Sequence, residues 1–351
     1  FGMSESNVLV SIIIPHWNGI ETLSECLTSL AKTNYEPFEI IVVDNCSTDG
    51  SQEWVKVNYP NITLIENSEN YGYAGGCNHG IKATNGELVV FLNNDTIQDS
   101  MWLSHLVDFI LQNPKIAALQ PKILNYFDKS IFDYAGGAGG YMDVFGFPFA
   151  RGRVFIEQER DQGQYDNNKQ CFWASGTALM VRKKLFIEAG KFDETFFSHM
   201  EEIDLCWRLQ AMGYQVWSNP ESVVFHKNAV SLPMQTHKKY YLNHRNSLLM
   251  LFGNYSITNA FYLGTIRVIF EFIAIAYSIL RWDWQHVTGI AKALLWIITH
   301  PLVIIKKRKK FKTIRINEDK KILKKLYRKS LVIDYFIKKI KTYSEIDSKV
   351  L

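Results

Sequence analysis

The chain is poor in cysteine and in net charge, and it lacks several signatures that would classify it at once. Its five cysteines (Cys26, Cys46, Cys77, Cys171 and Cys206) are odd in number and show neither a C-x-x-C pair nor zinc-like spacing. That argues against a disulfide framework and for a reducing, cytosolic compartment. No G-x-G-x-x-G follows the first apolar run, where the turn reads Pro15-His16-Trp17-Asn18-Gly19, so a dinucleotide-binding fold is disfavoured. No uninterrupted apolar run reaches the roughly 20 residues of a clean membrane span: 257–280 contains Arg267 and Glu271, and 293–305 contains His300 and Pro301. Internal repeats are missing too. No signal peptide is expected, because residues 1–7 are short and polar, and Phe1-Gly2 ahead of Met3 reads as a tag remnant outside the fold.

What is present is an ordinary globular composition, 47% hydrophobic and 21% charged over 351 residues, which sets aside disordered, collagen-like and mucin-like classes. The length suits one large domain or two ordinary ones. The net charge of +4 conceals a division. Residues 306–341 carry 16 Lys and Arg against 3 Asp and Glu, a net +13; residues 342–351 add −1, leaving −8 on the first 305. An acidic body is joined to a strongly basic tail.

The first hundred residues alternate buried strands and helices. LVSIIIP (9–15) and FEIIVVD (38–44) are continuous β-branched runs, the mark of strands covered on both faces. A helix over 20–32 separates them, and ITLIE (62–66) and ELVVFLN (87–93) flank another near 76–84. This β-α-β-α order predicts a doubly wound, mainly parallel sheet. Residues 134–152, rich in glycine and aromatics, and the polar 157–169 read as long, mobile, lid-like loops. TALMVRK (177–183) resumes as a strand, 198–213 as a helix ended by Gly213, and YQVWSNP and SVVFHK as two short strands.

Ligands of such sheets bind beyond the carboxyl ends of the strands. Those ends carry Pro15-His16-Trp17-Asn18, Asp44-Asn45 and Asn93-Asn94-Asp95. A carboxylate after VVFL either caps a turn or holds a divalent cation with oxygen co-ligands. In the helix at 198, Ser198 and Glu201 form the S-x-x-E of a capping box. Helical spacing puts Glu202 in line with Leu205, Cys206 and Leu209, and puts Glu201, Asp204 and Arg208 on a polar stripe. An inward carboxylate has a raised pKa and suits a general base, or it is a structural half of a buried ion pair. His226, ending SVVFHK, is a packing residue or, with Asp95 nearby, a metal ligand.

The ordered blocks VSIIIPHWNG, EIIVVDNCSTDGS, ENYGYAGGCNHGI, NGELVVFLNNDT, WASGTALMVRK, FFSHMEEIDLCWRL and VVFHKNAVS resemble family 2 glycosyltransferases, in particular their rhamnosyltransferase-like and galactofuranosyltransferase-like branch. The resemblance covers roughly residues 8–250 and implies a GT-A fold, α/β in class, with inverting, metal-dependent transfer from a nucleoside diphosphate sugar. It implies that Pro15, His16 and Asn18 border the nucleotide and that Asp44 bonds the pyrimidine base. Asn70, Gly75, Gly76 and Asn78 match the loop alongside the nucleotide. Asn93-Asn94-Asp95 takes the D-x-D position, with Asp95 binding Mg2+ or Mn2+ on the diphosphate, and His226 matches a histidine that completes the metal site in some members. Glu201-Glu202 stands at the Glu-Asp motif, with Glu202 as base, while Trp173, Ser175 and Gly176 flank the donor sugar or acceptor. Three departures stand out: Asn93 replaces the first acid, Glu202 replaces an Asp, and Cys77 stands where many members have an arginine.

The expected function is therefore transfer of a sugar, dTDP-rhamnose being the favoured donor, to a glycan or lipid-linked saccharide in bacterial surface polysaccharide assembly. The alternative is a non-catalytic nucleotide-sugar-binding or membrane-surface module that kept the fold. Domain boundaries are placed at 8–250 for the transferase and 251–351 for a helical, apolar and basic extension. Residues 257–305 either pack as core helices or lie at a membrane interface with Trp282, Trp284 and Trp296 at headgroup level. The adjoining KKRKKFKTIR (306–315) favours anionic lipid by about 1 kcal/mol per Lys or Arg near the surface. A nucleic-acid partner is disfavoured by the acidic body. The expected location is cytoplasmic, peripheral on the inner face of the cell membrane through residues 257–341.

Overall fold

A computed structural model describes residues 8–228 and 236–347. Phe1-Gly2 and the last residues of the seventh motif, Ala229 to Ser231, lie outside the described residues. Strands β1 (Val10–His16), β2 (Phe38–Asp44), β3 (Thr63–Glu66) and β4 (Leu88–Leu92) run parallel in the spatial order β4-β1-β2-β3. Helices α1 (Ile20–Leu30), α2 (Ser51–Asn58) and α3 (Gly72–Gly80) make the crossovers. Alternation along each strand feeds two layers: Val10, Ile12, Ile14 and Val42 join one apolar cluster, while Ile13, Ile41 and Val43 join the other.

Beyond β4 the short β5 (Thr96–Gln98) and helix α4 (Trp102–Gln112) precede β6 (Ile116–Asn125). The glycine-rich stretch 134–152 is not a long loop, whereas 159–168, within the polar stretch, has no regular element. Strands β7 (Gly140–Met142), β8 (Pro148–Ala150), β9 (Arg153–Val154) and β10 (Glu157–Gln158) pair antiparallel into a second sheet, closed over Phe132, Phe149, Val154 and Tyr165. Its glycines are where main chain meets bulky side chains: a Cβ on Gly140 would lie 2.1 Å from the Trp173 indole. Strands β11 (Lys169–Cys171), β12 (Ala178–Arg182) and β13 (Gln215–His226) return to the main sheet, in the order β11-β13-β6-β12-β4. The two short strands expected near 214–227 are one bulged strand, whose register against β6 shifts between Asn219 and Val223.

After α5 (Lys183–Glu188), helix α6 (Glu201–Ala211) starts three residues later than the capping-box reading placed it. Its N-cap is Met200, in the left-handed region, with no side-chain cap from Ser198. Glu201, Asp204 and Arg208 do not form a solvated stripe, because every α6 residue but Glu202 is buried and Asp204 has no exposed surface.

Helix α7 (His237–Asn254) runs across residue 250 and packs on both parts of the chain. Then come α8 (Ile257–Leu280), α9 (Trp284–Thr299) and α10 (Pro301–Ile314), followed by the short α11 (Asp319–Leu323), α12 (Leu331–Phe336) and α13 (Tyr343–Asp347). By length and composition α8 could cross a membrane, Arg267 and Glu271 notwithstanding, and α9 with α10 pass the same test only as a pair bent by 71°. The basic tail folds back onto the body. Tyr327, Leu331, Tyr335, Tyr343 and Ile346 complete the cluster under the small sheet. Lys307 is buried, its ammonium 2.7 Å from Asp204 Oδ1 and 3.0 Å from Asp193 Oδ2.

That ion network gives a stability test. Burial favours the neutral acids, yet the Lys307 charge holds both carboxyls below the usual range. The stabilisation is present above about pH 4 and is lost as pH falls through the depressed native values. Lys307→Met should cost about 3–5 kcal/mol in urea unfolding at pH 7 by stranding buried charge. The gap to the parent should narrow below pH 4.

Candidate active site

Strands β1, β2, β4, β6 and β13 all end at one edge of the main sheet, and most sequence-predicted residues collect there. His16, at the end of β1, is buried and sits beside Asp44 in the register. Asn94 Nδ2 donates to His16 Nδ1 at 2.8 Å, so the proton on Nε2 is donated to Ser51 Oγ, also at 2.8 Å. Burial keeps this imidazole below its ordinary pKa, against the pull of Asp44 and Asp49. Asp44 Oδ1 accepts from Ser47 N and Gln52 Nε2, whereas its other oxygen is buried with no partner. Asn18 sits in the left-handed region (φ 55°), its N–H donating to Ser47 Oγ and its Oδ1 accepting from Thr48 N. Together these make a polar pocket wall with one free carboxylate oxygen.

The glycine loop leads into α3. Asn70 Oδ1 accepts from Gly72 N. Gly75 and Gly76 are needed for close approach, since a Cβ would lie 2.6 Å from Tyr71 Cβ or 2.9 Å from Asn45 Nδ2. Asn78 turns away from the edge, donating to Phe192 O and Glu194 Oε1 and accepting from Phe192 N. Cys77, at the arginine position, is buried, and burial raises its thiol well above the ordinary value. It supplies no cation.

Asp95 and His226 meet. His226 Nε2 lies 3.1 Å from Asp95 Oδ1 and 3.5 Å from Asn93 Nδ2. Its other nitrogen donates to Asp133 Oδ1 at 2.9 Å. Burial alone would lower the His226 pKa, but the two carboxylates raise it to about 10. Asp95 in turn, despite burial, is held below the usual carboxylate range by the imidazolium. Asp95 Oδ1 makes no hydrogen bond of good geometry. A divalent cation fits this pair: one carboxylate and one imidazole aimed at each other, with Asp133 fixing the ring from behind. Among the described residues no three His, Cys, Asp or Glu side chains converge on one point, so further ligands have to come from a ligand's oxygens or from water.

The carboxylates of α6 lie beside Tyr73 of the glycine helix, at the end of a strained turn. Phe197, His199 and Met200 all have positive φ (63°, 70° and 73°), each such residue costing about 1–3 kcal/mol. Two neighbours on α7 hold the turn. Asn246 Nδ2 donates to the carbonyls of Phe196, Ser198 and His199, and Arg245 Nη2 to those of Thr195 and Phe196. Glu201 is 4% exposed, and burial, with the Glu202 charge beside it, pushes its pKa well up. Glu202 keeps part of its surface open, and burial raises it to about 7. Both have one oxygen with no partner. Tyr73 links the two halves: its hydroxyl, raised by burial and the nearby glutamates, donates to Gly176 O at 2.5 Å, and Thr177 O accepts from Asn93 N. Trp173 Nε1 donates to Tyr141 O, and Ser175 Oγ to Ala135 O, so both hold the small sheet against the edge.

Asp133, Tyr73, Arg245 and Asn246 were not legible as site residues. Asp133 lies in the glycine-rich loop with no motif around it. Arg245-Asn246-Ser247, a polar triplet directly before Leu248-Leu249-Met250-Leu251, was the one signal available.

The sheet order, with strand-end acids at one edge, is that of GT-A-type transferases. A truncated TarS (residues 1–349) of S. aureus has this fold at a TM-score of 0.53 and 16% identity, covering 91% of this chain and 93% of that one. GalNAc-T7, solved with UDP, GalNAc and Mn2+, gives a TM-score of 0.53 at 18% identity over 64% of this chain and 44% of its own. The family model for Glycosyl transferase family 2 matches residues 11–187, half of the sequence, and the chain belongs to that family. An N-acetylglucosaminyl-diphospho-decaprenol L-rhamnosyltransferase of Mycobacterium tuberculosis is 28% identical over 251 residues, 67% of this chain and 81% of its own length. The O-antigen biosynthesis protein RfbC of Myxococcus xanthus is 30% identical over 63% of this chain and 17% of its own.

The His226 cage predicts a pH window. Its native pKa lies above the unfolded value, so its stabilisation is complete below about pH 6.5 and is lost as pH rises through 10. In EDTA, His226→Gln should be less stable than the parent by about 2–4 kcal/mol at pH 6, with the difference shrinking toward pH 10, read by urea unfolding.

Proposed function

We propose that this chain is an inverting transferase that moves a sugar from a nucleoside diphosphate donor to a glycan or lipid-linked saccharide acceptor, in bacterial surface polysaccharide assembly. Two observations support the proposal: the Asp95–His226 pair at the carboxyl edge of the sheet, and a glutamate, Glu202, with a raised pKa and an unpartnered oxygen beside Tyr73. A base of that pKa is matched to proton transfer near neutral pH. dTDP-rhamnose is the favoured donor, because the chain is similar over most of its length to an enzyme named as an L-rhamnosyltransferase acting on a diphospho-decaprenol saccharide.

In this reading the free oxygen of Asp44 takes the pyrimidine base. Pro15, His16, Asn18, Asn70, Gly75, Gly76, Asn93 and Asn94 line the nucleotide, and Asn78 keeps the glycine helix in place. Asp95 and His226 would hold Mg2+ or Mn2+, which supplies charge neutralisation on the departing diphosphate. GalNAc-T7, and a Pyrobaculum calidifontis mannosyltransferase at 14% identity, were solved with Mn2+. Glu202 accepts the proton of the acceptor hydroxyl as its oxygen bonds to the anomeric carbon. The bond from that carbon to the diphosphate breaks with its electron pair going to the leaving oxygen. Glu201, deeper and with its pKa pushed well up by burial and by the Glu202 charge, lies beside that base. Trp173, Ser175 and Gly176 bound the sugar side. Residues 8–250 form the catalytic part and 251–351 the extension, which keeps the enzyme peripheral on the cytoplasmic face of the cell membrane.

A thermal-shift panel of dTDP-, UDP- and GDP-sugars with Mn2+ should single out the donor, and that donor should be slowly hydrolysed. Binding without hydrolysis or transfer would leave the non-catalytic reading. Glu202→Gln should keep nucleotide affinity within about twofold while losing turnover by about 10²–10⁴-fold. The parent's kcat should fall as pH drops below about 7, where Glu202 is protonated. Near-normal turnover in the variant would remove Glu202 from the role.

A further inference from the structure

Helix α8 is amphipathic in the wrong sense for water. The side it turns to the body carries Gly264, Arg267, Glu271 and Ser278, all buried. The side it turns outward carries Phe261, Phe272 and Leu280, which are 76%, 60% and 80% exposed. The inward charges are fully occupied: Arg267 donates to Glu271 Oε1, to Ser247 Oγ and to the Phe145 carbonyl, and Glu271 pairs with His244. The exposed face continues through Trp282 at the turn into Ile298 on α9 and Leu302 on α10. Exposed apolar side chains in this number on one helical segment mark an interaction surface.

One end of that face holds a pocket of about 400 Å³. Ile257, Ile305 and Phe311 line it beside Arg308, Lys309, Lys312 and Arg315. Arg308 and Arg315 are tied to carbonyls and to Asp319. Lys309 and Lys312 are exposed and make no ion pair among the described residues. Ile257 and Ile305 belong to both the apolar face and the pocket, so cations and exposed apolar residues form one surface.

We infer that this surface seats in a single leaflet of an anionic bilayer, with the basic pocket taking a lipid headgroup phosphate and α8 lying in the plane of the membrane. Apolar side chains outward with a cationic, aromatic-flanked rim is the pattern of an interfacial helix. Spanning is excluded by what α8 is bonded to. Its middle is fixed to α7 and to the Phe145 loop, and the other side of α7 holds the strained turn before Glu201. Upright insertion would carry that catalytic wall into hydrocarbon.

The test uses the full chain and vesicles of phosphatidylcholine with or without 25% phosphatidylglycerol. Flotation should favour the anionic vesicles by at least tenfold, and alkaline carbonate should release the protein. Phe272→Glu, and separately Leu280→Glu, should abolish flotation, whereas Lys309→Glu with Lys312→Glu should remove only the anionic preference. Hydrolysis of donor, unchanged in all of these, shows that each variant is folded and reads the transferase proposal independently. No flotation by the parent, unaltered flotation by the variants, resistance to carbonate, or a discrete dimer that Phe272→Glu splits without vesicle binding would each overturn the inference.

Discussion

The site depends on a side-chain amide that satisfies three carbonyls at once. Asn246 donates to Phe196, Ser198 and His199, carbonyls of the turn whose residues Phe197, His199 and Met200 are left-handed. Helix α6 can then begin abruptly at Glu201, with both acids placed in its first turn by main-chain geometry rather than by a cap. Strain at this turn is tolerated because α7, enclosed by α8, α9 and α10, is too well packed to yield. The helices that look peripheral in the chain are thus the backing plate for two glutamates whose pKa values burial raises.

Much of the catalytic half was legible because its signal is local. The β-branched runs specify strands buried on both faces, and their polar ends specify one edge. Asp95 and His226, 131 positions apart, could be listed but not paired, since it is the antiparallel pairing of β5 with β13, which sets His226 opposite Thr96, that brings them together. The reading of α6 failed for a physical reason. Amphipathic stripes presume one solvated face, and Asp204 and Arg208 are instead buried against each other and against Lys307, which comes from a segment about a hundred residues later. The 134–169 region misled similarly: glycine there marks backbone packed against Trp173 and Phe132, not a hinge.

The basic tail divides into two roles that charge counting cannot separate. Lys307, Arg308 and Arg315 point inward and neutralise buried acids or carbonyls. Lys306, Lys309 and Lys312 point outward beside the exposed apolar face. Adjacent positions on one helix serve the interior and the surface, so the net +13 overstates what the surface presents.

The arrangement around His226 has a bearing on how this corner of the sheet holds together. Two buried carboxylates on either side of a neutral ring would be left without a counter-charge. Here the imidazole takes up a proton and serves as their counter-charge. The two acids are thereby offset from within the chain, by a residue carried at the end of β13. The segments that hold Asp95 and Asp133 are tied to that strand by charge as well as by the main-chain bond from Lys227 N to Asp95 O, so this corner of the sheet draws its counter-charge from its own residues.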